Sequence, residues 1–379
     1  MHWLLITLFA LAVGSQDLSE EIRAAQASGN YGLAAQLYLQ LITAGTDTPE
    51  VRSNCGVMLH LAGKNREAME QFRIALRRNP GLTGANLFAG LTELDLGEPK
   101  LALPYLKRAR ESDRARPAPL LALAKAYVGL RDYASANKYY SEAATLDANL
   151  AEAWYGVGVT DRSLAEELLN RAARSGGRSG ANQEKVQELL DHALKALTRA
   201  IELEPSSART HLIMAEALSD SGKFAEASTE YQTAMKLDPR LEAAYLGLAS
   251  QYWKQRQFDD ALPLLKHVLA ESPKDPEANG ILADILQHEG DDANAKRHAE
   301  IALAGNPDLI ETRVVLARVY VARQESKLAI AELQKVISAD PDGSYHFLLY
   351  RAYRQAGEEQ AAKTALAQFQ QIRNGNAKQ

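Results

Sequence analysis

Side chains able to do acid–base or metal chemistry are few in this sequence and widely spaced. The 379 residues include eight histidines and one cysteine. A metal site needs three or four His, Cys or carboxylate ligands that converge. The nearest approach is His288 and His298, ten residues apart. No His-Glu-x-x-His, Cys-x-x-Cys or Gly-x-Ser-x-Gly pattern occurs. Gly156-Val157-Gly158 lies inside an apolar helical stripe, so it reads as a packing contact and not a dinucleotide loop. The glycine run Ser175–Gly180 lacks the Gly-Lys-Ser/Thr ending of a phosphate loop. Cys55 falls on an inward-facing helix position and is expected to be a buried thiol. The basic run Lys107–Arg116, KRARESDRAR, overlaps a helix end and reads as solvated surface, without the aromatic partners of a nucleic-acid site. Net charge is -5, with both signs mixed along the chain, which argues against nucleic acid or anionic membrane as general partners. The expectation is no catalytic residue, no cofactor and no metal.

The elements that carry these side chains follow one pattern, cleanest in Ala208–Leu241, ARTHLIMAEALSDSGKFAEASTEYQTAMKLDPRL. His211, Met214, Ala215 and Leu218 fall at i, i+3, i+4 and i+7, one stripe of an α-helix. Gly222 breaks the pattern. Phe224, Ala227, Tyr231, Ala234 and Met235 resume it, and Asp238-Pro239 ends it. Two helices of three to four turns with a short link form an antiparallel hairpin. Such a hairpin buries too little apolar surface to stand alone and must stack on neighbours.

The unit recurs from Pro49, Thr83, Pro117, Ala151, Ala208, Glu242, Pro276, Ile310 and Gly343. The intervals are 34, 34, 34, 57, 34, 34, 34 and 33 residues. The eighth residue is mostly Gly or Ala, from Gly56 and Gly90 to Ala317. The twentieth is alanine from Ala68 to Ala329. The twenty-fourth is usually large, as in Phe72, Leu106, Tyr140, Leu197 and Tyr231. Ala299 breaks that rule and predicts a looser hairpin in the unit from Pro276. A proline stands near the end of many units, as at Pro80, Pro205 and Pro239.

This period and these positions resemble the tetratricopeptide repeat family, with Trp154 where that family has its tryptophan. The resemblance covers roughly Pro49 to Gln371. It implies an all-α fold: a superhelical solenoid of stacked antiparallel helical hairpins. It also implies an interaction scaffold whose partners vary widely.

Residues 1–15 hold an uncharged run of 11 apolar residues, Trp3–Val13, shorter than the about 20 needed to cross a bilayer core. They are expected to form a signal peptide, with cleavage near Gly14 and Ser15. An uncleaved anchor or a cytoplasmic start is the alternative. Residues 18–48 read as a degenerate capping repeat, 49–150 as three repeats, 151–207 as a repeat with an elongated hairpin, 208–342 as four repeats, and 343–372 as a C-terminal cap. In the long unit Leu164, Leu168 and Leu169 prolong the first stripe, while Val186, Leu189 and Leu190 begin the second early.

In the family, positions two, five, nine, twelve and thirteen of each first helix face a groove. Here the resemblance points to Leu87, Leu91, Leu121, Lys125, Tyr155, Val159, Leu212, Trp253 and Arg318 as partner-binding residues. The groove reads as mostly apolar in the first four full units and more mixed later, suited to a partner peptide or helix. The expected function is a non-enzymatic protein-interaction scaffold, exported to the cell envelope. Two alternatives stand beside it: self-assembly into a homo-oligomer through the elongated hairpin, and an accessory role to a separate enzyme or secretion complex.

Overall fold

The computed structural model describes residues 18–174 and 180–376. The region read as a signal peptide lies outside the described residues, as does the glycine run at 175–179. Every regular element among the described residues is helical. The chain divides into two compact units, Met1–Ser221 and Gly222–Gln379.

In the first unit a helix over residues 18–27 (α1) precedes α2 (Tyr31–Thr43). Hairpins follow from α3 (Pro49–Leu61) and α4 (Asn65–Arg78), α5 (Thr83–Asp95) and α6 (Pro99–Ser112), and α7 (Ala118–Gly129) and α8 (Tyr133–Leu146). The pair α9 (Ala151–Arg174) and α10 (Gly180–Leu203) has 24 residues in each helix, against 13 and 14 in α3 and α4. Beyond the reach of its neighbours it has a small apolar seam of its own: Ala165, Val186 and Leu190, with Leu168 and Leu189 against them. The unit closes with α11 (Ala208–Asp220).

The second unit holds α12 (Phe224–Leu237), α13 (Glu242–Lys254), α14 (Phe258–Glu271), α15 (Pro276–Glu289), α16 (Asp292–Gly305) and α17 (Ile310–Ala322). Then come the short α18 (Ser326–Gln334), a 3-10 turn at Ile337–Ala339, α19 (Ser344–Ala356) and α20 (Glu359–Asn376).

The helix boundaries follow local chemistry. The side chains of Thr48, Ser207 and Asp275 accept from the backbone N–H three residues on, and Pro49 and Pro276 occupy the first turn where no N–H partner is needed. Among the described residues the link inside each standard hairpin takes a left-handed residue. It is glycine at Gly63, Gly97, Gly222, Gly290 and Gly357. Arg131, Arg256 and Gln324 hold the same place with φ of 57°, 63° and 62°.

The alanines at the twentieth position are fully buried in all eight units from Ala68 to Ala329. They leave room for the residue at twenty-four. A Cβ on Gly56 would lie 2.7 Å from the Phe72 ring, one on Gly90 would lie 2.3 Å from Leu106, and one on Gly158 would lie 2.4 Å from Leu197. Where position twenty-four is tyrosine, the ring also reaches the next hairpin and meets a glycine there: Tyr140 on Gly156 and Tyr231 on Gly247. The hairpin with Ala299 is not looser. α15 and α16 pack against each other as extensively as the helices of the other standard hairpins. Ala283 and Ala299 are both fully buried at this contact.

Within each unit the first helices of successive hairpins also touch one another, α3 to α5, α5 to α7 and α7 to α9, then α13 to α15, α15 to α17 and α17 to α19. The second helices have no comparable contacts. First helices therefore crowd together on the inner side of each stack and line its groove.

Candidate functional site

The groove of the second unit begins with Trp253 near the end of α13. Its indole Nε1 donates to Asp284 Oδ2 on α15 at 2.8 Å. Arg318 Nη1 on α17 donates to the other oxygen, Asp284 Oδ1, at 3.2 Å. One nearly buried carboxylate thus braces three successive first helices. Both oxygens are satisfied, so the ion is held without an unpaired lone pair on the buried side. The guanidinium stays 44% exposed and keeps donors facing the groove.

A pocket of about 460 Å³ opens beside this brace, between α13, α15 and α17. Ile281, Leu309 and Val315 form its apolar part, with the face of Trp253. Gly280 deepens it, because a Cβ there would come within 2.6 Å of Thr312 Oγ1. Lys254, Glu277 and Glu311 stand around it. Partial desolvation in the groove pushes the Glu277 carboxyl above the ordinary carboxylate range, with Asp275 adding to the rise and Lys254 opposing it. The side chain still meets water, so the effect is screened. On the other side of Arg318 lies a second pocket of about 320 Å³ between α15, α17 and α19, where Gln287, Ser344, Phe347 and Arg351 join Arg318.

In the first unit, Leu87 and Leu91 are half-buried against Ala122, Leu123 and Ala126. Leu91 and Lys125 share a pocket of about 480 Å³ with Leu94 and Pro99. Lys125 Nζ pairs with Glu152 Oε1 on α9 at 2.6 Å. Tyr155 and Val159 sit half-buried on α9, and burial raises the Tyr155 pKa. Beyond them Arg162 on α9 pairs with Glu216 and Asp220 on α11, at 2.8 and 2.7 Å.

The structure thus brings Leu91 together with Lys125, and Trp253 together with Arg318. Leu121 and Leu212 are 9% and 8% exposed, so little of either side chain is open to a partner. Leu87 holds the same fifth position but stays half-buried. Nor is the face simply apolar in its early units: ion pairs cross it from helix to helix. Sequence reasoning missed Asp284, Glu277, Glu311 and Arg351. The available signal was positional, since Asp284, Arg318 and Arg351 all occupy the ninth place of successive units.

Three histidine–carboxylate pairs occur among the described residues, the first of them His60 Nδ1 at 3.5 Å from Asp95 Oδ2. Asp161 is buried, accepts from Asn137 Nδ2 at 2.9 Å and pairs with His192 Nδ1 at 2.5 Å. Asp340 accepts from the backbone N–H groups of Gly343 and His346 and pairs with His346 Nδ1 at 2.7 Å, which anchors the start of α19. His288 and His298 do not converge: the first meets Arg256 and the second meets Asn279 Oδ1. Among the described residues no group of three His, Cys, Asp or Glu side chains is placed to hold a metal ion.

A stack of helical hairpins with a groove of paired charges and an aromatic anchor defines a helical-repeat scaffold for protein interaction. Matches to family models described as tetratricopeptide repeat or TPR repeat cover residues 20–83, 62–119, 119–150, 215–256 and 252–300. The chain belongs to the tetratricopeptide repeat family. It is 23% identical over 187 residues to DnaJ homolog subfamily C member 3 of Gallus gallus, a match covering 44% of this chain and 36% of that protein. It is 24% identical over 314 residues to the TPR repeat-containing protein YpiA of Bacillus subtilis, covering 73% of this chain and 69% of that one. The chain thus spans little more than a third of the chicken protein's length. A solved structure of a monomeric IFIT1 mutant shares the fold at a TM-score of 0.51 and 15% identity, covering 82% of this chain and 68% of that one.

Proposed function

We propose that this chain is a non-enzymatic scaffold that holds a partner peptide or helix in the groove of its first helices, and that it works after export to the cell envelope. The observation that carries the binding reading is the braced pocket in the second unit. There an aromatic face, an apolar floor and charged side chains are open on a surface that Asp284 braces through Trp253 and Arg318. A preorganised groove of this kind loses little side-chain entropy on binding. The test is partner capture from envelope extract with the full chain and with Trp253→Ala. Loss of the partner in the variant, with unchanged circular dichroism, supports the groove; undiminished capture overturns it. The export reading rests on the apolar run Trp3–Val13. Native protein should begin near Ser15 to Asp17 on N-terminal sequencing, and an intact Met1 in the cytosol refutes it. A second reading, self-association through the elongated hairpin, is favoured by Leu169, which is 46% exposed on α9 beyond the length of a standard first helix. Light scattering of a chain lacking residues 166–188 decides it.

A further inference from the structure

The two pockets of the second unit adjoin one another and differ in sign. The first presents Glu277 and Glu311, balanced only by Lys254, around the apolar floor beside Trp253. The second presents two guanidiniums, Arg318 and Arg351, with the amide of Gln287 and the hydroxyl of Ser344, and no carboxylate lines it. The Asp284–Arg318 pair is the partition between them, with Asp284 turned to the first pocket and Arg318 to the second. Glu311 and Arg351 form no ion pair or hydrogen bond of their own among the described residues. Their charges are exposed to the groove and available to an occupant. Phe347, 41% exposed, adds an apolar wall at the cationic end.

From this polarity we infer that the groove of residues 222–379 reads a partner segment of paired charge, a basic side chain seated in the α13–α15–α17 pocket and a carboxylate in the α15–α17–α19 pocket, in one fixed order. The inference rests on the groove being the binding face and adds the chemistry of what binds there. A lysine or arginine stem is long enough to lie along Trp253 and Ile281 with its head at Glu277 and Glu311. A carboxylate accepts two-pronged hydrogen bonds from guanidinium, which suits the other end. Reversing the order would set like charges against each other at both ends, so the groove also rejects.

The experiment uses the full chain and an array of acetylated dodecapeptides in an alanine, serine and leucine background. Each carries one Lys and one Glu two to six residues apart, in both orders. A parallel set has Glu replaced by Gln with either a free or an amidated C-terminus. The expected result is that one order binds about tenfold or more tighter than its isomer, with affinity falling as salt rises. Arg351→Gln should abolish the preference for the carboxylate alone, and Glu311→Gln the preference for the basic residue alone. Neither residue has a partner to lose, so folding is not at stake, and a thermal melt checks it. Binding of the free-acid Gln peptides but not the amides assigns the cationic pocket to a chain terminus; binding of the Glu peptides assigns it to a side chain. If both orders bind equally and neither variant shifts them, the charge reading is overturned while the groove stands. If no peptide binds and Trp253→Ala leaves partner capture intact, the groove reading falls as well.

Discussion

Substituting Gly156 by alanine tests whether the stack is held by the fit of tyrosine on glycine between hairpins. In an unhindered helix interior this change stabilises by about 1 kcal/mol, because alanine loses less backbone entropy. Here the new Cβ would lie 2.3, 2.4 and 2.5 Å from the Cδ1, Cε1 and Cγ atoms of Tyr140. Those are ring atoms of a side chain only 7% exposed, and the ring cannot turn aside without opening the core between α8 and α9. Overpacking of this sort costs about 1–3 kcal/mol or somewhat more. The net expectation is destabilisation of about 1–2 kcal/mol. Tyr140→Leu alone leaves a cavity and should also destabilise, by roughly 1–3 kcal/mol. Combined, the two changes compensate, since the leucine vacates the space the methyl needs. The coupling energy should therefore be of order 1 kcal/mol or more, in the sense of rescue. Urea unfolding followed by circular dichroism at 222 nm reads all four corners of the cycle, with m checked for constancy because repeat arrays can lose cooperativity. A Gly156→Ala chain more stable than the parent, or a strictly additive double variant, refutes the argument.

Three further outcomes follow from other parts of the fold. Gln324 occupies a left-handed link at φ 62°, so Gln324→Gly should raise stability by about 0.5–1 kcal/mol where most buried or linking substitutions lower it; a lowered melting midpoint contradicts this. Burial pushes the Cys55 thiol up to about 11, so it should resist a thiol reagent at pH 8 in the native chain and react only at the rate of unfolding; prompt labelling contradicts the buried placement. Asp47 accepts from Arg52 and Arg78, whose hydrogen bonds hold its carboxyl well below the usual range. A depressed carboxyl contributes stability that is present above its unfolded value, about 3.9, and lost as pH falls through the folded value. Asp47→Asn should flatten that acid limb and leave the midpoint near pH 9 lower than the parent's. An unchanged acid limb removes Asp47 from the account.

Much of the fold was legible because each hairpin is built from contacts close in sequence. Position eight and position twenty-four belong to one unit, so Gly90 and Leu106 or Gly158 and Leu197 can be paired by counting. Gly222 and its counterparts announce the hairpin links by their need for positive φ. The second alanine stripe, Ala75, Ala109, Ala143, Ala200 and Ala234, all at most 1% exposed, follows from the same counting. The hairpin with Ala299 keeps its packing despite the small residue at position twenty-four, because helix separation is an outcome of whole-helix packing and not of one side chain.

The sequence by itself determined the repeat, the helical hairpin, the glycine links and the residues that must face inward, since these follow from periodicity and backbone sterics within 34 residues. Only the tertiary structure decided what each first-helix residue does. Leu121 and Leu212 hold the same fifth position as Leu87, yet the first two are nearly buried and Leu87 stays half open. Trp253, Asp284 and Arg318 stand 31 and 34 residues apart in sequence and meet through one carboxylate. Their meeting depends on the rotation and spacing between successive hairpins, which arise from the summed packing of whole helices and are written at no single position.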